Sequence, residues 1–222
     1  MKDVRTLSEL YDLIEKDYAW RITELSNYRS FVIQSKGKSK EPMLRAGVAL
    51  LYAHWEGFIK NGADLYYSFV SNQSKKLNEY SNSFISIALR SQLETMSSTK
   101  KLSLHNSVIE TFFDKADLAP NFSSSSPIRT SNLKFEIFED VCLMLGIGID
   151  EFHERYKRNF DRNIALIINE DLLTKRNKIA HGNYLLIDEK EFKQLYDVVI
   201  NGLLYNFKEL LMDCAQNKKY LK

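Results

Sequence analysis

Cysteine and proline are scarce in this chain, and glycine is little commoner. Of 222 residues, two are cysteine, three proline and eight glycine. The cysteines, Cys142 and Cys214, each sit among apolar neighbours in a helical pattern. They make no disulfide framework and read as buried free thiols in a reducing cytosol. So little proline and glycine argues against a turn-rich chain and favours long helices. No apolar run reaches the roughly 20 residues that a membrane helix needs. The N-terminal MKDVRTLSEL lacks the apolar core of a signal peptide. A soluble, cytoplasmic protein is expected. An excess of one charge is missing too. The formal net charge is +2, which excludes a strongly basic nucleic-acid coat and leaves local patches to be argued one at a time.

Several catalytic signatures are also missing. There is no G-x-S-x-G of a serine hydrolase and no phosphate-cradling G-x-x-x-x-G-K-[ST] loop. His153 and Glu154 are adjacent, but no second ligand sits at i+4 and no cysteine cluster exists. No metal or cofactor is expected.

What is present is a helical pattern in a chain that is 44% hydrophobic, enough for a real core. Leu7, Tyr11, Ile14, Tyr18, Ile22, Leu25 and Val32 recur every three to four residues and predict one long helix. SKGKSKEP breaks it, and Pro42 suits the first turn of a second helix over about 41–71. Its middle, AGVALLYAHWEGFI, is apolar on most sides and should lie centrally. Shorter helices are expected around 83–93 and 105–113. NFSSSSPIRTSN, at 121–132, reads as a mobile loop. Phe135, Phe138, Cys142 and Leu145 mark a further helix, stopped by Gly146–Gly148, after which Asp150 is expected to cap a short charged helix. Ile164, Ile168, Leu172 and Ile179 trace the next, ending at Gly182. Asp188 and Glu191 form a capping-box pattern opening the last helix. No strand pattern is convincing. The chain reads as one domain over 1–222, an all-α bundle with short connections.

LTKRNKIAHGNY, at 173–184, places Arg176, Asn177 and His181 within six residues at a helix end. Stepping about 100° per residue from Leu172 puts Arg176 about 40° away, inside the apolar stripe. A guanidinium stays charged, so there it needs a carboxylate, a phosphate or a wet cleft. His181 lies about 140° from Arg176 on the same ideal helix, so either the helix end redirects it or a second copy supplies the matching group. Asn177 and His181, at i and i+4, share a face. A purely structural account is also open. His181 can bond the last carbonyls, Arg176 can pair with a core acid, and Asn177 can cap locally.

At this motif the chain resembles the HEPN superfamily, all-α proteins with an R-x4–6-H motif near a helix end. Arg176-Asn177-Lys178-Ile179-Ala180-His181 fits the four-residue spacing, including the polar residue after the arginine. AHWEGFIK at 53–60, SNLKFEIFEDVCLMLGI at 131–147 and LLTKRNKIAHGN at 172–183 are similar to the bacterial MAE-type or RiboL-PSP-type branch. The resemblance implies a core of four to five helices with short accessory ones. It further implies a metal-independent endoribonuclease acting on tRNA or another structured RNA, a homodimer that brings two motifs into one cleft, and a role as a toxin or in phage defence, with an antitoxin or defence partner.

The residue types suit that chemistry. RNA carries its own nucleophile, the 2′-hydroxyl. His181 is the candidate general base. Arg176 can hold the scissile phosphate bidentately, and Asn177 can orient either. Glu56, on the second helix, is the candidate acid that holds Arg176 or lines the cleft. Lys175 and Lys178 flank the motif. Arg155 and Arg158 belong to RYKRNFDR, the densest basic and aromatic patch. These four are candidate RNA contacts, with a solvated charged face as the plainer account. His54 reads as a satisfied core histidine. The rival function is a non-catalytic helical module that binds RNA or a protein.

Overall fold

The structure, a computed structural model, describes residues 2–120, 122 and 132–222. Among them no strand forms. Helix α1, Leu7–Gln34, opens with a reciprocal cap: the Glu9 N–H donates to the Thr6 hydroxyl (3.2 Å), and the Thr6 N–H donates to the Glu9 carboxylate (3.0 Å). Helix α2, Lys40–Ser71, carries Pro42 in its first turn, where a missing N–H costs nothing. α2 is buried on most sides, as its apolar middle implies, with Leu51, Tyr52, Trp55, Phe58 and Ile59 in the core. α1 packs along it through Leu10, Ile14, Leu25 and Val32.

Three short helices follow: α3 Asn82–Ala88, α4 Arg90–Ser97 and α5 Leu102–Lys115. The single helix expected around 83–93 is thus divided at Leu89, whose backbone leaves helical geometry (φ −100°, ψ 13°). α5 buries only Val108 and leaves Leu102, Ile109 and Phe113 exposed. The loop expected at 121–132 lies outside the described residues except at Phe122 and Asn132. The Phe122 ring packs edge-on against Tyr80 at 5.4 Å.

Helix α6, Phe135–Leu145, stops at Gly146 in the left-handed region (φ 72°). Helix α7, Ile149–Lys157, is capped at Gly148. Asp150 is therefore not the cap; it lies in the first turn, where its charge suits the helix dipole.

Two long helices complete the bundle, and each has a π-helical middle. α8 covers 164–180 as Ile164–Leu166, a π segment Ile167–Thr174 and Lys175–Ala180. α9 covers 189–216 as Glu189–Asp197, a π segment Val198–Leu204 and Tyr205–Gln216. Asp188 caps α9 by accepting from the Glu191 N–H at 2.8 Å. Aromatic contacts tie α2, α6, α7 and α9 together: Trp55–Phe138 at 5.1 Å, Phe138–Phe152 at 4.9 Å and Phe58–Phe207 at 6.1 Å. Such spacings add to the area buried. At Gly47 a Cβ would stand 2.5 Å from Phe192 Cε2, so only glycine lets α9 approach α2 there. At the C-terminus the Lys222 N–H donates to the Glu79 carbonyl at 2.9 Å.

Candidate active site at the end of α8

α8 ends in a turn that needs glycine. The Gly182 N–H donates to the Ile179 carbonyl (3.1 Å) and the Asn183 N–H to the Lys178 carbonyl (2.9 Å). This closes the helix in the paired pattern that requires a left-handed residue, and Gly182 has φ 74°. The turn leaves His181 exposed, its backbone N–H bonded to the Asn177 carbonyl at 3.0 Å. Its imidazole makes no hydrogen bond or ion pair among the described residues.

Arg176 is half-buried. Its Nη1 donates to Asn177 Oδ1 at 2.8 Å and reaches Asn132 Oδ1 at 3.4 Å. Its guanidinium carbon lies 4.9 Å from the ring centroid of Tyr52 on α2. Among the described residues no carboxylate pairs with it. Glu56, the acid expected from the sequence, makes no ion pair with it; it stands one turn after Tyr52 on α2, close enough for its charge to act on the Tyr52 phenol. The Tyr52 hydroxyl accepts the Leu133 N–H at 2.7 Å. Burial, and then the Glu56 charge, hold the Tyr52 phenol well above its ordinary range, so it stays protonated.

The neighbouring cations differ. Lys175 is held by Asp171 at 2.6 Å and by Glu191 of α9, while Arg162 takes the other side of Asp171. Burial pulls the Lys175 ammonium down, but these two carboxylates outweigh it and its pKa is raised. Arg155 pairs with Glu151 at 2.9 Å and Asp213 at 3.6 Å. Asp213 stands near the far end of α9, roughly 30 Å from Glu191 at about 1.5 Å per residue. Arg155 is therefore not gathered with the motif. Lys178 and Arg158 are exposed, with no ion pair among the described residues.

His54 is buried, with Nε2 2.8 Å from Glu24 Oε2 and its ring against Trp20 at 5.1 Å. It lies outside the Arg176 surroundings.

Tyr52, Asn132 and Asn169 were not singled out by sequence. Asn169, in the π segment of α8, accepts the Phe135 N–H at 2.8 Å. Residues 132–135 are thus tied to α2 and α8 by three separate side chains. One signal for Tyr52 was legible: a tyrosine on an otherwise buried helix needs a partner for its hydroxyl, and Glu56 follows one turn later.

Among the described residues no group of three or more acidic, histidine or cysteine side chains is placed to hold a metal ion. No helix among them is long and apolar enough to cross a membrane. Chemically, the helix end offers an arginine that among the described residues is held only by neutral groups, with no partner for its Nε and Nη2 there, and an accessible imidazole one turn on.

Comparison with curated proteins and with solved structures returns no match. A family model described as HEPN_MAE_28990-like HEPN matches residues 10–220, a span that includes α1–α9 almost whole and the Arg176–His181 motif. By that match and by its all-helical architecture, the chain belongs to the HEPN superfamily, in its MAE-type branch.

Proposed function

We propose that the chain is a metal-independent endoribonuclease. The observation that carries this reading is the state of Arg176. Lys175, Arg162 and Arg155 are all neutralised by carboxylates, whereas Arg176 is held by two amide oxygens and a ring face. A half-buried guanidinium without a counter-charge attracts an anion, and its Nε/Nη2 edge matches two phosphate oxygens. HEPN membership points to RNA as the source of that phosphate.

In the proposed reaction His181 takes the proton of the 2′-hydroxyl, and O2′ attacks the adjacent phosphorus. The P–O5′ bond breaks, and the leaving oxygen takes a proton from solvent or from the same imidazole of a second copy. The products are a 2′,3′-cyclic phosphate and a 5′-hydroxyl. Arg176 offsets charge on the phosphoryl oxygens as it builds up. Asn177 orients Arg176, which it already touches at 2.8 Å. Lys178 and Arg158 are available to the RNA backbone. Lys175 is a structural cation and contributes little to RNA.

One observation favours a second reading, a helical RNA-binding or protein-interaction module without catalysis. Arg176 is half-buried, His181 is exposed, and among the described residues they share no side-chain partner. Catalysis then depends on a homodimer that brings two motifs together. A toxin or defence role, with an antitoxin or defence partner, accompanies either reading.

The test is cleavage of labelled RNA in excess EDTA by the wild type, Arg176→Ala and His181→Ala. The reading expects cyclic-phosphate ends, loss of cleavage in both variants, and resistance of RNA carrying a single 2′-deoxy at the cut site. RNA binding without cleavage by the wild type would establish the module instead.

A further inference from the structure

We propose that Tyr52 is the positioning residue for Arg176, acting through its ring face and through a hydroxyl that accepts the Leu133 backbone N–H. The proposal rests on the endoribonuclease reading of the same site.

An arginine side chain has many rotamers, and fixing it on a phosphate costs conformational entropy. A site that holds it beforehand avoids that cost at the moment of reaction. Tyr52 is suited to do so. It is fully buried, so its ring cannot swing away. The guanidinium carbon lies 4.9 Å from the ring centroid, within range of the attraction between a cation and an aromatic face. The hydroxyl has one proton to give and lone pairs to receive. It receives the Leu133 N–H at 2.7 Å, so the ring is held at its hydroxyl end.

Two consequences follow for the arginine. Leu133 is joined to Asn132, whose Oδ1 lies 3.4 Å from Arg176 Nη1. The same hydroxyl therefore anchors the backbone that presents this second contact. Moreover, among the described residues no carboxylate, Glu56 included, makes an ion pair with Arg176. A carboxylate in contact would compete with phosphate for the guanidinium. A neutral ring face holds the arginine and leaves its charge uncancelled.

The experiment compares Tyr52→Leu and Tyr52→Phe, each alone and combined with Arg176→Ala. Two quantities are measured: kcat and KM on cleavable RNA, and the affinity for RNA with a 2′-deoxy at the cut site. Misaiming a catalytic group by about 1 Å costs up to about 10²-fold. Tyr52→Leu should lower kcat about 10- to 100-fold with KM changed less than about threefold. Tyr52→Phe keeps the ring and the packing but frees the Leu133 N–H, and should lose less than Tyr52→Leu. Against the Arg176→Ala background, neither variant should weaken binding of the uncleavable RNA further, because its target is gone.

Unchanged kcat in both variants overturns the proposal. So does an equal loss of affinity with and without Arg176, which marks a merely structural role. If Tyr52→Leu fails to fold, Tyr52→Phe decides the matter. The parent reading fails separately, when Arg176→Ala and His181→Ala cleave like the wild type.

Discussion

Replacing Arg176 by alanine separates what this side chain does for the fold from what it does for RNA. In the fold it makes a hydrogen bond at 2.8 Å, a longer one at 3.4 Å and a ring contact at 4.9 Å. A hydrogen bond contributes about 0.5–1.5 kcal/mol net, and a partly exposed cation–ring contact about 0.5–1 kcal/mol. Because no carboxylate among the described residues pairs with Arg176, its removal orphans no buried charge there, and the roughly 3–5 kcal/mol cost of breaking a buried ion pair does not arise. Arg176→Ala should therefore lose about 1–2 kcal/mol of stability, a fall in Tm of about 2–8 °C for a chain of this size.

Cleavage should suffer more. Loss of a preorganised donor at a developing anion costs about 10²–10³-fold in kcat, about 3–4 kcal/mol of barrier. Arg176→Lys, which keeps the charge but not the planar fork, should fall between alanine and wild type. The assay pairs thermal melts followed by circular dichroism with single-turnover cleavage in EDTA. Cleavage by Arg176→Ala within about threefold of wild type refutes the reasoning. So does a fall in Tm beyond about 10 °C, since lost activity would then report lost structure.

The two lysines of the motif should behave oppositely. Lys178→Ala should weaken RNA binding and reduce the salt slope by about 0.7 for a single strand without moving Tm. Lys175→Ala, which frees Asp171 and Glu191 from their shared cation, should lower Tm and leave the slope unchanged. Cys142 and Cys214 are both buried; burial pushes the Cys142 thiol far up and the Cys214 thiol up to about 11. Neither should react with a disulfide reagent at pH 8 until denaturant is added, and prompt native labelling would contradict that burial. Gly47→Ala would drive a Cβ to 2.5 Å from Phe192 Cε2 and should destabilise by about 1–3 kcal/mol in a urea titration. Burial lowers the His54 pKa below 6.5, only partly opposed by Glu24, with Arg21 lowering and Asp17 raising it further. The unfolded chain then binds the proton more readily. Stability should be full above about pH 6.5 and fall as the pH drops below it. His54→Phe should flatten that slope in urea melts at pH 5 and 7.

How much of this was legible in the sequence depends on how far away the deciding atoms lie. The long helices α1 and α2 follow from local periodicity, and their observed bounds agree with it. The Asp188 cap was legible for the same reason. Yet the reciprocal half of that capping box is absent from the hydrogen bonds, because the Glu191 carboxylate goes to Lys175, sixteen positions back on another helix. The basic patch was likewise a local pattern, and nothing local discloses that Arg155 meets Asp213 near the far end of α9. The π segment was not legible either. Its i→i+5 bonds underwind α8 through Thr174, so angles stepped at about 100° per residue are not those of this helix. The Arg176 side chain lies half-buried over Tyr52 of α2.

The need for a partner does not depend on that angle, since it follows from the charge. Sequence could say only that Arg176 required a carboxylate, a phosphate or water. The choice among them is made by Tyr52 and Asn132, on elements far from α8 in the chain. They solvate the guanidinium with a ring face and an amide, groups that lower the cost of burying it without cancelling its charge. Had Glu56 reached Arg176 directly, the pair would be a structural ion pair like Arg155–Glu151, and an incoming phosphate would have to displace a carboxylate. With no carboxylate among the described residues paired to Arg176, an incoming phosphate would have none to displace.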